Sequence, residues 1–166
     1  ANMYYLTGFL SPDPFIFLRR VGDESIIVVN QMEFSRAKRE STVRDVRSYE
    51  EYDYARIVRS SKDPRLGMMK FLSSVVKKEI GKRSLISVPH DFPSMALDVL
   101  RKEGLNVKPM FDVVEKARET KEPSEIKAIE TVQKVVDNVM SEVINLISNC
   151  DVDPDGTLVH RENGVK

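Results

Sequence analysis

Tryptophan is absent from this sequence, cysteine occurs once, histidine twice, and neither sign of charge is in excess. Each lack removes a class of explanation. The single cysteine, Cys150, excludes an internal disulfide framework and suits a reducing, cytoplasmic compartment. Lys plus Arg and Asp plus Glu number 26 each, so no global field advertises nucleic acid or an anionic membrane as partner. The two histidines, His90 and His160, have no second His or Cys beside them and make a poor metal-ligand set. Long apolar runs are missing too. Ile26-Ile27-Val28-Val29 is far too short to span a bilayer, and no succession of charged, apolar and cleavage-site segments marks a signal peptide. What remains is a chain of 166 residues, 41% hydrophobic and 31% charged, long enough for one domain with a substantial core.

The opening, Asn2-Met3-Tyr4-Tyr5-Leu6-Thr7-Gly8-Phe9, concentrates aromatic residues ahead of a glycine. Tyr4, Tyr5, Leu6 and Thr7 favour a half-buried strand, with Gly8 as a bulge, a turn or a point of close approach. Ser11-Pro12-Asp13-Pro14 is a compact turn, because two prolines fix φ and remove backbone donors. Residues 15–20 and 25–30 flank Gly22-Asp23-Glu24 and predict an antiparallel pair, the second strand buried on both faces. A surface helix is expected over 32–40 and a strand over 42–46. Residues 47–61 show no period and read as a loop, in which Tyr49, Tyr52 and Tyr54 anchor by their rings or offer a ligand surface.

Asp63-Pro64 predicts a helix start, since Asp caps free N–H groups and Pro suits the first helical position. Met69, Leu72, Val76 and Ile80 then place one stripe against the core until Gly81. A strand over 85–88, a helix over 93–103 and a strand over 106–110 spell an α/β layer with parallel neighbours. His90, beside Asp91, sits in the strand-to-helix loop, where function often lies; a ligand, an acid–base group or a loop hydrogen-bonder all fit. A short helix over 112–121 leads to Glu122-Pro123, the start of a long amphipathic helix over 123–148. Its stripe runs through Ile126, Ile129, Val132, Val136, Val139, Val143 and Ile147. Such a helix extends roughly 39 Å at about 1.5 Å per residue, which predicts a bridge to a further domain or a partner subunit.

Asp151-Val152-Asp153-Pro154-Asp155-Gly156, with Glu162 further on, matches the D-x-D-x-D-G-x5-E calcium-loop pattern. Pro154 stiffens a loop that must wrap an ion, and no paired second loop exists. An acidic hinge turn is the preferred reading.

Taken together, Asn2…Tyr5-Leu6-Thr7-Gly8-Phe9, the Arg118-x-x-Lys121-x-x-x-Glu125-Ile126 entry to the long helix, and the α/β stretch between them resemble the amino-terminal domain of the creatinase and prolidase family of Xaa-Pro peptidases. The resemblance implies an α/β fold with a mixed β-sheet and flanking helices over 1–122, a long C-terminal linker helix over 123–149 and an acidic hinge or tail over 150–166. It also implies a first helix and strand ahead of the Asn2 motif. Catalysis in the family belongs to a following domain with two divalent metals (Mn, Co or Zn), which activate a water against the bond before proline. This stretch is then non-catalytic, holds no metal, and acts in homodimer formation and active-site covering for proline-containing peptides. The substrate-proximal residues implied are Tyr5, Thr7, Gly8, Phe9 and His90. The alternative is a peptidase-like binding module without catalysis that recognises protein segments.

Overall fold

The first element is a helix, not the strand that Tyr and Thr propensities favour. Asn2–Thr7 (α1) ends on Gly8, which adopts φ +62° and donates its N–H to the Tyr4 carbonyl at 2.7 Å. That is a left-handed glycine stop, a geometry that costs most other residues a Cβ clash. Thr7 turns its hydroxyl back to the Met3 carbonyl at 2.7 Å, so its branched side chain is satisfied within the helical turn. In the computed structural model, residues 2–160 are described except Val21 and Asp23, so part of the turn expected at 22–24 and the Glu162 position of the calcium pattern fall outside the described residues. The chain divides into two units, Ala1–Glu119 and Thr120–Lys166.

In the first unit, Ile16–Arg19 (β1), Ser25–Val29 (β2) and Asp45–Ser48 (β3) form a sheet in the order β1-β2-β3. β1 runs antiparallel to β2 with Ile16 opposite Val28, and β2 runs parallel to β3 with Val28 opposite Arg47. The parallel pair requires a crossover, which Gln31–Glu40 (α2) supplies. Asn30 caps that helix by accepting from the Glu33 N–H at 3.0 Å. β2 is buried on both faces, as its unbroken apolar run predicts, and divides the interior in two. Ile26 and Val28 join a cluster with Phe71, Val75 and Leu100, whereas Ile27 and Val29 join Phe9, Ala37 and Val43. Burying one such side chain contributes about 1.5–3 kcal/mol.

The segment expected to be a loop is largely helical. Tyr49–Tyr52 is a 3-10 turn and Tyr54–Arg59 (α3) a short helix, separated by Asp53 at φ +56°. Tertiary packing overrides the missing period: the Tyr49 ring lies 4.8 Å from that of Phe71 and 4.9 Å from that of Tyr54. The strand predicted over 42–46 shifts to β3 because the Thr42 N–H is used by the Thr7 carbonyl at 2.8 Å. Asp63 caps Pro64–Glu79 (α4) by accepting from the Arg65 N–H at 2.8 Å. The helix buries Phe71, Val75 and Val76, with Leu72 and Ile80 partly covered and Met69 off the centre of the contact.

Leu85–Pro89 (β4) and Asn106–Met110 (β5) pair in parallel, Pro89 opposite Met110, around Ser94–Lys102 (α5), which buries Ala96, Val99 and Leu100. This pair is not bonded to the β1-β2-β3 sheet, yet Ile86, Val88 and Val107 share one cluster with Ile16 and Leu18. Glu115–Glu119 (α6) closes the first unit.

The second unit opens with Pro123–Ser148 (α7), whose start carries a reciprocal capping box between Glu122 and Glu125. Its apolar stripe is uncovered from Ile126 to Ile147, with Val132 63% exposed. The tail is a hairpin of Cys150–Val152 (β6) and Leu158–His160 (β7). Its acidic tip is a turn in which Asp155 accepts from the Thr157 N–H at 3.0 Å. That bond, first among its causes, holds the Asp155 carboxyl below the usual range.

Candidate functional site

Two polar constellations stand out in the first unit. One is internal. The Glu79 carboxylate at the end of α4 is 5% exposed and accepts from Arg20 Nη2 at 2.7 Å, Arg47 Nη1 at 2.8 Å and the Tyr52 hydroxyl at 2.8 Å. Arg47 also grips Asp45 with two parallel bonds of 2.9 and 2.7 Å. The bond to Arg47 lowers the Asp45 pKa, and the bond to Asp45 raises that of Arg47. Burial pushes the Tyr52 phenol up to about 12, with the Glu79 hydrogen bond adding to it. Charges balance within this network and every headgroup has a partner. It ties α4 to the first sheet, and although Arg20 Nε is buried without a hydrogen-bond partner, both carboxylates are engaged by arginine.

The second constellation lies at the surface, where the opening residues meet α6 and the ends of β4 and β5. Asn2 is shared between two side chains: its Nδ2 donates to Glu115 Oε1 at 2.8 Å, and its Oδ1 accepts from Arg118 Nη1 at 2.7 Å. The Tyr5 hydroxyl donates to the Ala117 carbonyl at 2.9 Å. α1 is therefore pinned to α6 by three bonds that span more than a hundred residues of chain. These bonds join Asn2 and Arg118, which the two separate sequence motifs contribute. His90 follows β4, is exposed, and stacks on Phe111 with ring centroids 5.1 Å apart and 24° between planes. Phe111 follows β5 and is 78% exposed. The Glu115 carboxyl is held below its usual range, first by its own backbone N–H and then by Asn2, with the charge of His90 adding to the effect.

The residues proposed from sequence as substrate-proximal divide by burial. Tyr5 and His90 are at the surface. Thr7 is 0% and Phe9 1% exposed. The Thr7 carbonyl accepts from Thr42 N–H and from the Ser41 hydroxyl at 2.9 Å, its Oγ1 accepts from the Phe9 N–H at 3.1 Å, and Arg36 lies 4.8 Å above the Phe9 ring centroid. Gly8 leaves no room for a side chain, since a Cβ there would stand 2.9 Å from Thr42 Cγ2. Phe111, Glu115 and Arg118 were not candidates from sequence. Only the presence of Asn2 and Arg118 in the two motifs that carry the family resemblance signalled the cluster. A groove of about 660 Å³ runs past Leu6, Phe17, Ser25 and Arg44, and its Arg20 and Asp45 already belong to the internal network.

Among the described residues no group of three or more His, Cys, Asp or Glu is arranged to hold a metal ion. The donor set does not fit a two-metal centre, and no chemistry of this chain is routed through one. Among them, too, no helix is long and apolar enough to cross a membrane.

Residues 1–120 match the family model of the Creatinase/Prolidase N-terminal domain. The chain belongs to that family. Solved structures similar to it include a prolidase from Pyrococcus furiosus, with 15% identity and a TM-score of 0.64, and a prolidase from Pyrococcus horikoshii OT3, with 21% identity and a TM-score of 0.61. Each alignment covers 93% of this chain but only 42% and 38% of those two chains, so the domain spans about two fifths of either prolidase. At these identities the likeness shows the fold. No curated protein matches by sequence.

Proposed function

We propose that this Creatinase/Prolidase N-terminal domain is the non-catalytic part of a cytoplasmic, metal-dependent Xaa-Pro peptidase and that it packs against that protein's own catalytic domain. The observation that carries this reading is the bare stripe of α7. Val132, Val136, Val139 and Val143 lie among other exposed apolar residues, including Val135, Met140 and Ile144. The stripe is wider than the two-position seam of a paired coiled coil and suits burial against a multi-element surface such as a folded domain. The metals, Mn, Co or Zn, belong to that other domain. The enzyme acts as a homodimer in which the α1 edge covers an active site. Tyr5 and His90 reach the proline-containing substrate there, and Thr7, Gly8 and Phe9 hold the edge in shape from beneath.

β1 ends the first sheet, and both strands of the β4-β5 pair are edges on the same core, which supports a further strand joining the two sheets, contributed with a helix by sequence ahead of Asn2. The test compares this chain with the protein that includes the following domain, both assayed with manganese or cobalt on an Xaa-Pro dipeptide. Turnover by the longer protein alone is the expected result. Turnover by this chain would overturn the non-catalytic assignment. A longer protein that captures basic peptides but hydrolyses nothing would favour the binding module.

A further inference from the structure

The pair His90 and Phe111 is organised beyond what folding needs. β4 and β5 are parallel and end in register, Pro89 opposite Met110, so the residues that follow them emerge side by side. Crevices at the carboxyl ends of parallel strands are the usual ligand positions of α/β sheets. Two residues beyond β5 the backbone reverses through Asp112 at φ +58°, a left-handed conformation that costs a non-glycine residue roughly 1–2 kcal/mol. The turn leaves Phe111 outside while Val114 enters the interior at 4% exposure. One face of the Phe111 ring is taken by His90, and the ring as a whole stays open to solvent. Met110 and Val113 beside it are also exposed, which makes the patch apolar.

At the edge of this patch stands Glu115. Its Oε1 accepts from Asn2, and its Oε2 accepts from the Val114 N–H at 3.3 Å. A carboxylate offers about four acceptor positions, so these two donors, with Glu115's own backbone N–H, fix its orientation and still leave an acceptor position free. An apolar ring face beside an oriented anion complements a short peptide that carries a saturated ring and a free ammonium group.

We propose that Phe111, backed by His90, and Glu115 form a docking point for Xaa-Pro peptides, the proline ring lying on the phenyl face and the amino end on the carboxylate. This inference rests on the Xaa-Pro reading above and adds to it the residues that set the preference for proline and for an unblocked amino terminus. Aromatic faces take proline well because its ring is compact, apolar and already restricted in φ, so little entropy is lost on binding.

The test is a titration of the 166-residue chain, observed through its backbone amide resonances, with Ala-Pro, Ala-Ala and N-acetyl-Ala-Pro. Ala-Pro is expected to shift the amides of His90, Phe111 and Glu115 and Ala-Ala to leave them in place. Phe111→Ala should weaken Ala-Pro about fivefold or more, while Phe111→Tyr, which keeps the ring face, stays within about twofold. Glu115→Gln should weaken Ala-Pro about threefold and leave the acetylated peptide unchanged. Equal shifts with Ala-Ala, or an unaltered affinity in a folded Phe111→Ala chain, would overturn the proposal. In the protein that includes the following domain, Phe111→Ala should raise KM for Ala-Pro with kcat held. Hydrolysis with KM unmoved would sink this docking point and spare the peptidase reading, whereas no Xaa-Pro hydrolysis by the unsubstituted protein would sink the peptidase reading itself.

Discussion

Replacing Gly8 with alanine tests why the opening segment is a helix that stops where it does. Two separable costs follow from its geometry. At φ +62° an alanine pays the left-handed penalty, roughly 1–2 kcal/mol, offset by about 0.5 kcal/mol because alanine also restricts the unfolded chain. Its Cβ would also lie 2.9 Å from Thr42 Cγ2, where carbon atoms prefer about 3.5–4.0 Å. Thr42 is held through its N–H by the Thr7 carbonyl, so its backbone cannot yield freely and its side chain must leave its rotamer at a cost of about 0.5–1.5 kcal/mol. The sum is about 2 kcal/mol. Thr42→Ser removes Cγ2 and with it the steric part, so Gly8→Ala in the Thr42→Ser background should cost about 1 kcal/mol, a coupling of about 1 kcal/mol in the cycle. Urea unfolding followed by near-UV circular dichroism of the tyrosines measures all four chains, and the absence of tryptophan leaves that signal unobscured. A coupling near zero would refute the steric account. A Gly8→Ala change that stabilises the Thr42→Ser chain would refute the left-handed stop.

Glu79→Leu should destabilise the first unit by about 3–5 kcal/mol in the same urea assay, because Arg20 and Arg47 lose their shared partner; a cost below about 1 kcal/mol would show that solvent reaches the network. Burial raises the phenols of Tyr49 and Tyr52 from their ordinary 10.0 to about 12. The folded state therefore prefers the protonated form, a stabilisation fully present below pH 10 and lost as pH rises toward 12. Alkaline unfolding should begin in that window, with phenolate absorbance appearing together with loss of the near-UV signal. Asp45 works in the opposite sense: its pKa is lowered by Arg47, so its contribution is present above the ordinary carboxylate range and fades on acidification, an effect Asp45→Asn should remove from the pH profile of stability. On α7, Val136→Lys with Val143→Lys should reduce binding of an apolar dye by this chain while changing the unfolding free energy of the first unit by less than about 0.5 kcal/mol in urea; a large loss of stability there would mean the stripe is already covered.

Periodic and punctuated segments were legible in the sequence. The β2 run, α5 with Ala96, Val99 and Leu100, and α7 from its Pro123 start all follow from local pattern and caps, since apolar spacing and backbone dihedral preferences act within a few residues of chain. Local preference misled at α1, where a left-handed glycine and the bonds of Asn2 and Tyr5 to α6 outweigh the strand propensity of the tyrosines. It was silent over Tyr49–Tyr52 and α3, because Tyr49 and Tyr54 pack on Phe71 while Tyr52 turns its hydroxyl to Glu79, and such contacts leave no period behind. The surface cluster of Asn2, His90, Phe111, Glu115 and Arg118 is likewise a product of tertiary structure alone. Its members come from four separate parts of the chain, and only the parallel register of β4 and β5 and the docking of α1 on α6 bring them to one edge. Sequence determines which segments can bury an apolar face; which distant polar groups then meet depends on how those faces are satisfied together.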